Sequence, residues 1–169
     1  MKTENLTRVA MIAAIYTAVT LVLAPLSFGM MQIRIAEALT MLPLVYAPAI
    51  WGVSFGCFLA NLIGVMTGAN ALGFIDCMVG TAATLGAAWC TWKLRHRLVC
   101  GIPIWAVLMP VVWNFVFVGT ELGILFPIGE NVIWSILLNG LWVAAGELIA
   151  CIAGYGLVKI LAHRLRFSK

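Results

Sequence analysis

Thirty-eight consecutive residues, Ala38 to Ile75, carry no Asp, Glu, Lys or Arg. Leu98 to Thr120 repeats this over 23 residues, and Asn131 to Gly146 over 16 before a lone Glu147. About 20 apolar residues in a helix cross a bilayer's hydrocarbon core, whereas soluble domains are about a quarter charged throughout. This chain of 169 residues is 9% charged and 64% hydrophobic, with a mean hydropathy of +1.10. It reads as an all-α integral membrane protein of the cell membrane. The N-terminal run "MIAAIYTAVTLVLAP" is long for the apolar core of a signal peptide and is followed by further apolar runs, so it is expected to be retained as the first helix.

Turn and proline signals divide a single membrane domain, 1–169, into six transmembrane helices at about 6–23, 35–46, 49–66, 72–92, 102–122 and 132–161. The second is short, because a dozen residues rise only about 18 Å against a core of about 30 Å. The preceding "SFGMMQIRI" is therefore expected to dip into the protein as a loop. Pro43 is expected to kink that helix, and Pro103 and Pro110 to delay or bend the fifth. Six crossings leave both termini on one side. Lys2, Arg8, Lys93, Arg95, Arg97, Lys159, Arg164, Arg166 and Lys169 all fall there, which makes it the cytoplasm. The remaining base, Arg34, falls at the outer end.

This topology sorts the polar residues by depth. Glu37, Asp76, Glu121 and Glu130 lie in the outer half or outer loops, and Glu147 sits near the middle of the last helix. Asn61, Asn114 and Asn139 are intramembrane amides; Asn139 and Glu147, eight apart, share a helix face. Ionised groups at this depth cost a few kcal/mol and usually pair or line a cavity. Together they outline a polar pocket open to the outside. Plainer roles compete: Glu121 and Glu130 as solvated loop residues, Asp76 as a helix cap, the amides as interhelical glue, and Arg34 as a neutraliser of Glu37. Trp113, beside Asn114, and Trp142, near Asn139, are the better placed of many aromatics for stacking on a flat ligand. Ala10, Ala14 and Ala18 make a smooth ridge on the first helix, suited to close packing inside the chain or against a partner.

Other chemistries lack their parts. No G-x-x-x-x-G-K-[ST], H-E-x-x-H or C-x-x-C occurs, and the five cysteines are scattered as small buried hydrophobes, so no metal or cofactor is implied. A G-x-S-x-G match, Gly52 to Gly56, sits inside an apolar helix with no histidine at its depth, so its glycines read as a packing pair and not as a hydrolase elbow. The net charge of +4 resides beside the spans and points to no nucleic acid. The chain is not expected to be an enzyme.

"RVAMIAAIYTAVTLVLAPLSFGMMQIRIAEALTMLP", "ANLIG", "DCMVGTAATLGAAWCTW" and "GELIACIAGYGLVKIL" together resemble the queuosine-precursor transporter family, the S components of energy-coupling-factor (ECF) transporters. The Q-x-R-x-x-E-A-L-T block, from Gln32 to Thr40, is the most specific part. The resemblance implies a six-helix bundle with an outward pocket under the loop between the first two helices. It implies a ligand that is a 7-deazaguanine precursor of queuosine or queuine itself. Partners would be a transmembrane T component, docked on the Ala10, Ala14 and Ala18 ridge, and two cytoplasmic ATPases. A guanine-like edge offers N–H donors to a carboxylate, Glu147 or Glu37, and a cationic aminomethyl tail would meet Asp76. Gln32 and Arg34 would close the site, with Asn61, Asn114 and Asn139 at its sides and Trp113 or Trp142 as stacking face. Two other readings compete: an ion-coupled secondary transporter, for which no internal repeat is visible, and a structural membrane subunit that binds nothing.

Overall fold

The computed structural model describes residues 3–29 and 32–165. Among them the chain is all-helical: α1 (Thr3–Val22), a four-residue α2 (Ala24–Ser27), a 3-10 helix (Ile35–Leu44), α3 (Ala49–Met66), α4 (Phe74–Leu94), α5 (Ile104–Leu125) and α6 (Val132–Leu165). Five of these, α1 and α3 to α6, are long and apolar enough to cross a membrane. Their outward faces carry large hydrophobic side chains such as Leu6, Trp51, Phe55, Ile133 and Ile149, as expected of surfaces solvated by lipid. The protein is a multi-pass membrane protein. Of the bases used to orient it, Lys2, Arg166 and Lys169 lie outside the described residues.

The long helices pack in sequence, α1 on α3, α3 on α4, α4 on α5 and α5 on α6, and the 3-10 helix packs against all five. It starts beside the far end of α1 and returns to its beginning, where the Tyr46 hydroxyl donates to Asn5 Oδ1 at 3.1 Å. The second segment thus departs from the ordinary α-helix expected at 35–46. A 3-10 helix gains about 2 Å per residue and brings residues three apart onto one face. Arg34, just before it, and Glu37, Thr40 and Pro43 within it therefore line up, and all four are buried. Runs this long are uncommon, and this one carries the most polar face in the bundle inward.

Small residues make such packing possible. A Cβ on Gly56 would lie 2.6 Å from Tyr16 Cβ and 2.9 Å from the Ala13 carbonyl, and Thr17 Oγ1 donates to the Gly56 carbonyl at 3.1 Å. Gly52 and Gly56 hold α3 against α1, the packing role read from the sequence. The Ala10, Ala14 and Ala18 ridge, by contrast, is turned outward, and it is Ala13 that packs internally. Pro103 precedes α5, whereas Pro110 lies inside it without breaking it. Proline has no N–H to give the carbonyl four residues back, that of Ala106. Thr91 Oγ1 of α4 donates to that carbonyl at 2.9 Å and so satisfies it across the helix interface.

Candidate functional site

Buried polar side chains form a column down the middle of the bundle. At the end beside the turn between α3 and α4, Arg34 Nη2 meets Asp76 Oδ2 at 2.8 Å, with both side chains buried. Asn70 Nδ2 donates to the same oxygen at 2.7 Å, while its own Oδ1 accepts from the Leu72 N–H at 3.1 Å. Asn61 Nδ2 donates to the Asp76 backbone carbonyl at 2.9 Å. Gly80 leaves room for this cluster, since a Cβ there would stand 2.7 Å from Asp76 Oδ1 and 3.2 Å from Arg34 Nη1. A buried ion pair is costly unless further hydrogen bonds support it, and here Asn70 assists the carboxylate while Asn61 holds the Asp76 backbone.

One turn further in, Glu37 is fully buried and its Oε1 accepts from the Tyr16 hydroxyl and from Thr84 Oγ1, the latter at 2.9 Å. Tyr16→Phe removes one of these donors while keeping the ring. It is expected to cost about 1–3 kcal/mol, the usual cost of taking a partner from a buried polar group, read as a lower unfolding midpoint in detergent. An unchanged midpoint would show that Tyr16 contributes only its ring. Glu147 of α6 is also buried, with Cys151 Sγ 3.9 Å from its Oε1.

The same end of the bundle holds a cavity of about 250 Å³ lined by Phe28, Gly29, Gln32, Ala71, Leu72, Leu122, Phe126 and Asn139. Two residues named from the sequence, Gln32 and Asn139, come together there. Gln32 adopts φ 40°, a left-handed conformation uncommon for a residue with a Cβ, as the chain turns inward toward Arg34. The loop entering the protein before the 3-10 helix is where "SFGMMQIRI" was expected to dip, although Met30 and Met31 lie outside the described residues.

The aromatic expectations are corrected. Trp142 is 51% exposed on the outward face of α6. Trp113 stacks on Phe117 at 5.2 Å and faces a different groove, with Trp51, Trp89 and Trp92. Helical periodicity alone does not say which side of a helix meets neighbours when lipid and core are equally apolar. The rings that do line the cavity beside Gln32 are Phe28 and Phe126, and the Arg34 guanidinium lies over the Phe28 ring at 5.8 Å.

Two polar contributors, Asn70 and Thr84, went unweighted in the sequence, and a third, Glu121, was weighed there as a pocket acid or a solvated residue. Asn70 sits in a turn whose "TGAN" reads as a loop, and Thr84 is an unremarkable helix residue. Glu121, which read equally well as solvated, is 6% exposed, and neither of its oxygens has a partner. Its signal was its place on α5 seven residues from Asn114, two turns along the same buried stripe. Further buried atoms without a partner among the described residues are the acceptors Gln32 Oε1, Glu37 Oε2, Asn61 Oδ1 and Asp76 Oδ1, the donors Arg34 Nε and Asn114 Nδ2, and the hydroxyls of Ser27 and Thr81, which can do either. No cluster able to hold a metal ion occurs among the described residues.

A family model described as QueT transporter matches residues 6–163, nearly the whole chain. No match was found among curated proteins or among solved structures.

Proposed function

The chain belongs to the QueT transporter family, and from that premise we propose that it is the substrate-binding S component of an ECF transporter, taking a 7-deazaguanine precursor of queuosine, or queuine, from the extracellular side. In this reading the 3-10 helix and its approach make the second of six crossings in one domain, so both termini are cytoplasmic. Uptake is driven by two separate ATPases through a T component docked on the outward-facing ridge of Ala10, Ala14 and Ala18, and this chain hydrolyses nothing.

The observation that carries the reading is the excess of unpartnered buried acceptors. Buried polar groups are normally satisfied, and an acceptor-rich site awaits a donor-rich ligand. A 7-deazaguanine presents N–H and NH₂ groups along one edge and, in the aminomethyl precursor, a cationic tail. Glu37 Oε2 and Glu147 are assigned to the guanine edge, with Asn61, Asn114, Asn139 and Gln32 at its sides. Asp76 is already neutralised by Arg34 and so offers little net charge to a cation; it holds Arg34 in place. Glu121, buried and unpaired, takes over the role of receiving the cationic tail. Phe28 and Phe126 replace the tryptophans as stacking faces.

Calorimetric titration of the detergent-purified protein with queuine, its two simpler 7-deazaguanine precursors and guanine tests this. Tight binding of one deazapurine is expected, weakened on the order of 10- to 100-fold in Glu147→Gln, where an amide NH₂ stands in place of one of the two carboxyl oxygens. Glu121→Gln is expected to weaken the aminomethyl compound more than the others. Silence from a folded sample across the set would overturn the substrate class. Purification without any ATPase-bearing complex from cells that express one would overturn the coupling.

A further inference from the structure

Away from the polar column, a groove with a cavity volume of about 700 Å³ opens on the outward face of α4. Its lining is almost wholly apolar and includes Trp51, Ala82, Gly86, Trp89, Trp92 and Trp113. Gly86 sets its floor: a Cβ there would stand 2.5 Å from the Trp113 ring. The groove follows α4 from Ala82 to Trp92, ten residues or about 15 Å, which is the depth of one leaflet of a hydrocarbon core about 30 Å thick.

Two bases crown one end. Lys93 Nζ lies 5.3 Å from the Trp89 ring centre and 5.4 Å from that of Trp92. The Arg95 guanidinium lies 4.7 Å over Trp92 and donates to the Trp92 carbonyl at 2.6 Å. Neither is among the ion pairs of the described residues, which join Arg8 to Glu4 and Arg34 to Asp76. Two other apolar grooves have no such crown. One, between α4 and α5, contains Glu121, and one beside Phe55 and Phe58 has no charged residue in its lining.

We propose that this groove is a binding site for a single anionic phospholipid, with an acyl chain along α4 and its phosphate between Lys93 and Arg95. A leaflet-deep apolar slot headed by two oriented, unpaired cations complements the shape and charge of such a lipid. A zwitterionic lipid fills the slot equally well but gains less at the head, because its own ammonium offsets the phosphate. Juxtamembrane bases each favour anionic lipid by several-fold, so the pair is expected to give a preference on the order of 10-fold.

Four of the seven tryptophans line the groove, which provides the readout. The outward-facing Trp105, Trp134 and Trp142 are replaced by phenylalanine to remove background, and the protein is placed in bilayer discs of phosphatidylcholine. Phosphatidylglycerol brominated on its acyl chains is then compared with equally brominated phosphatidylcholine as a quencher of tryptophan emission. The expected result is stronger quenching by the anionic lipid at low mole fraction. Adding Lys93→Gln and Arg95→Gln should abolish the preference while leaving quenching by phosphatidylcholine intact, which also certifies insertion. Ala82→Phe, which fills the slot from an outward-facing position, should reduce quenching by both lipids. Equal quenching by the two lipids, or a preference that survives the double substitution, would overturn the proposal. A saturating effect of free glycerol phosphate on that preference would assign the bases to a soluble anion and overturn it as well.

Discussion

Asp76→Asn, made with Arg34 left in place, is expected to destabilise the protein by about 3–5 kcal/mol, the cost of leaving one member of a buried ion pair uncompensated. The substitution preserves shape, so the loss measures charge and not packing. Arg34 sits in the same buried cluster, 2.8 Å from the carboxylate, with Asn70 and Asn61 already engaged there. For a chain of this size the shift in unfolding midpoint is on the order of 10 °C. Arg34→Met should be similarly damaging alone. The double variant, with both charges gone, should recover a large part of the loss, because buried pairs contribute little beyond what their removal as a pair forfeits. Thermal unfolding of the four proteins in one detergent closes the cycle. An Asp76→Asn protein that melts with the parent would mean that the pair is solvated and that this end of the column is open to water.

Gly154→Leu is expected to be the most damaging single change on α6. There the 3-10 helix lies directly on α6, and a Cβ on Gly154 would enter the Ala38 carbonyl, with the carbonyl carbon 2.8 Å away. The obstacle is backbone, so no rotamer change relieves it, and overpacking of this kind costs about 1–3 kcal/mol or more. The wedge also separates Glu37 and Thr40 on the 3-10 helix from Glu147 and Cys151 on α6, so deazapurine binding should fall together with stability. Gly156→Leu is the control. A Cβ there meets nothing within 4 Å, and the residue is exposed, so both properties should stay at parental values. Equal behaviour of the two variants would remove the close contact between α6 and the 3-10 helix from the argument.

Much of this protein could be read before folding, because the membrane imposes few solutions. Long runs of continuous apolar residues become helices, since within one segment only a helix satisfies its own backbone in hydrocarbon, and Gly52 and Gly56 announced a close helix contact that α1 supplies. The charged residues stood out against so apolar a background, and Arg34, Glu37, Asp76 and Glu147 are all buried. Directions were harder. A lipid-facing side and a core-facing side are equally apolar, so Trp142 and Trp113 could not be assigned a face by composition, and the Ala10, Ala14 and Ala18 ridge could not be told from internal packing.

What only the tertiary structure decided is pairing. Arg34 and Glu37 are close in sequence, yet Arg34 bonds Asp76, forty-two positions on, while Glu37 takes Tyr16 and Thr84. A 3-10 segment placed them so, a local geometry chosen because all five long helices press on it and no propensity in "IAEALTMLPL" demanded it. The sequence by itself determined that charges would be few, deep and costly. Which of them would be satisfied by a neighbour, and which, like Glu121, would be left facing none, depended on long-range packing that brings residues from different helices within 3 Å.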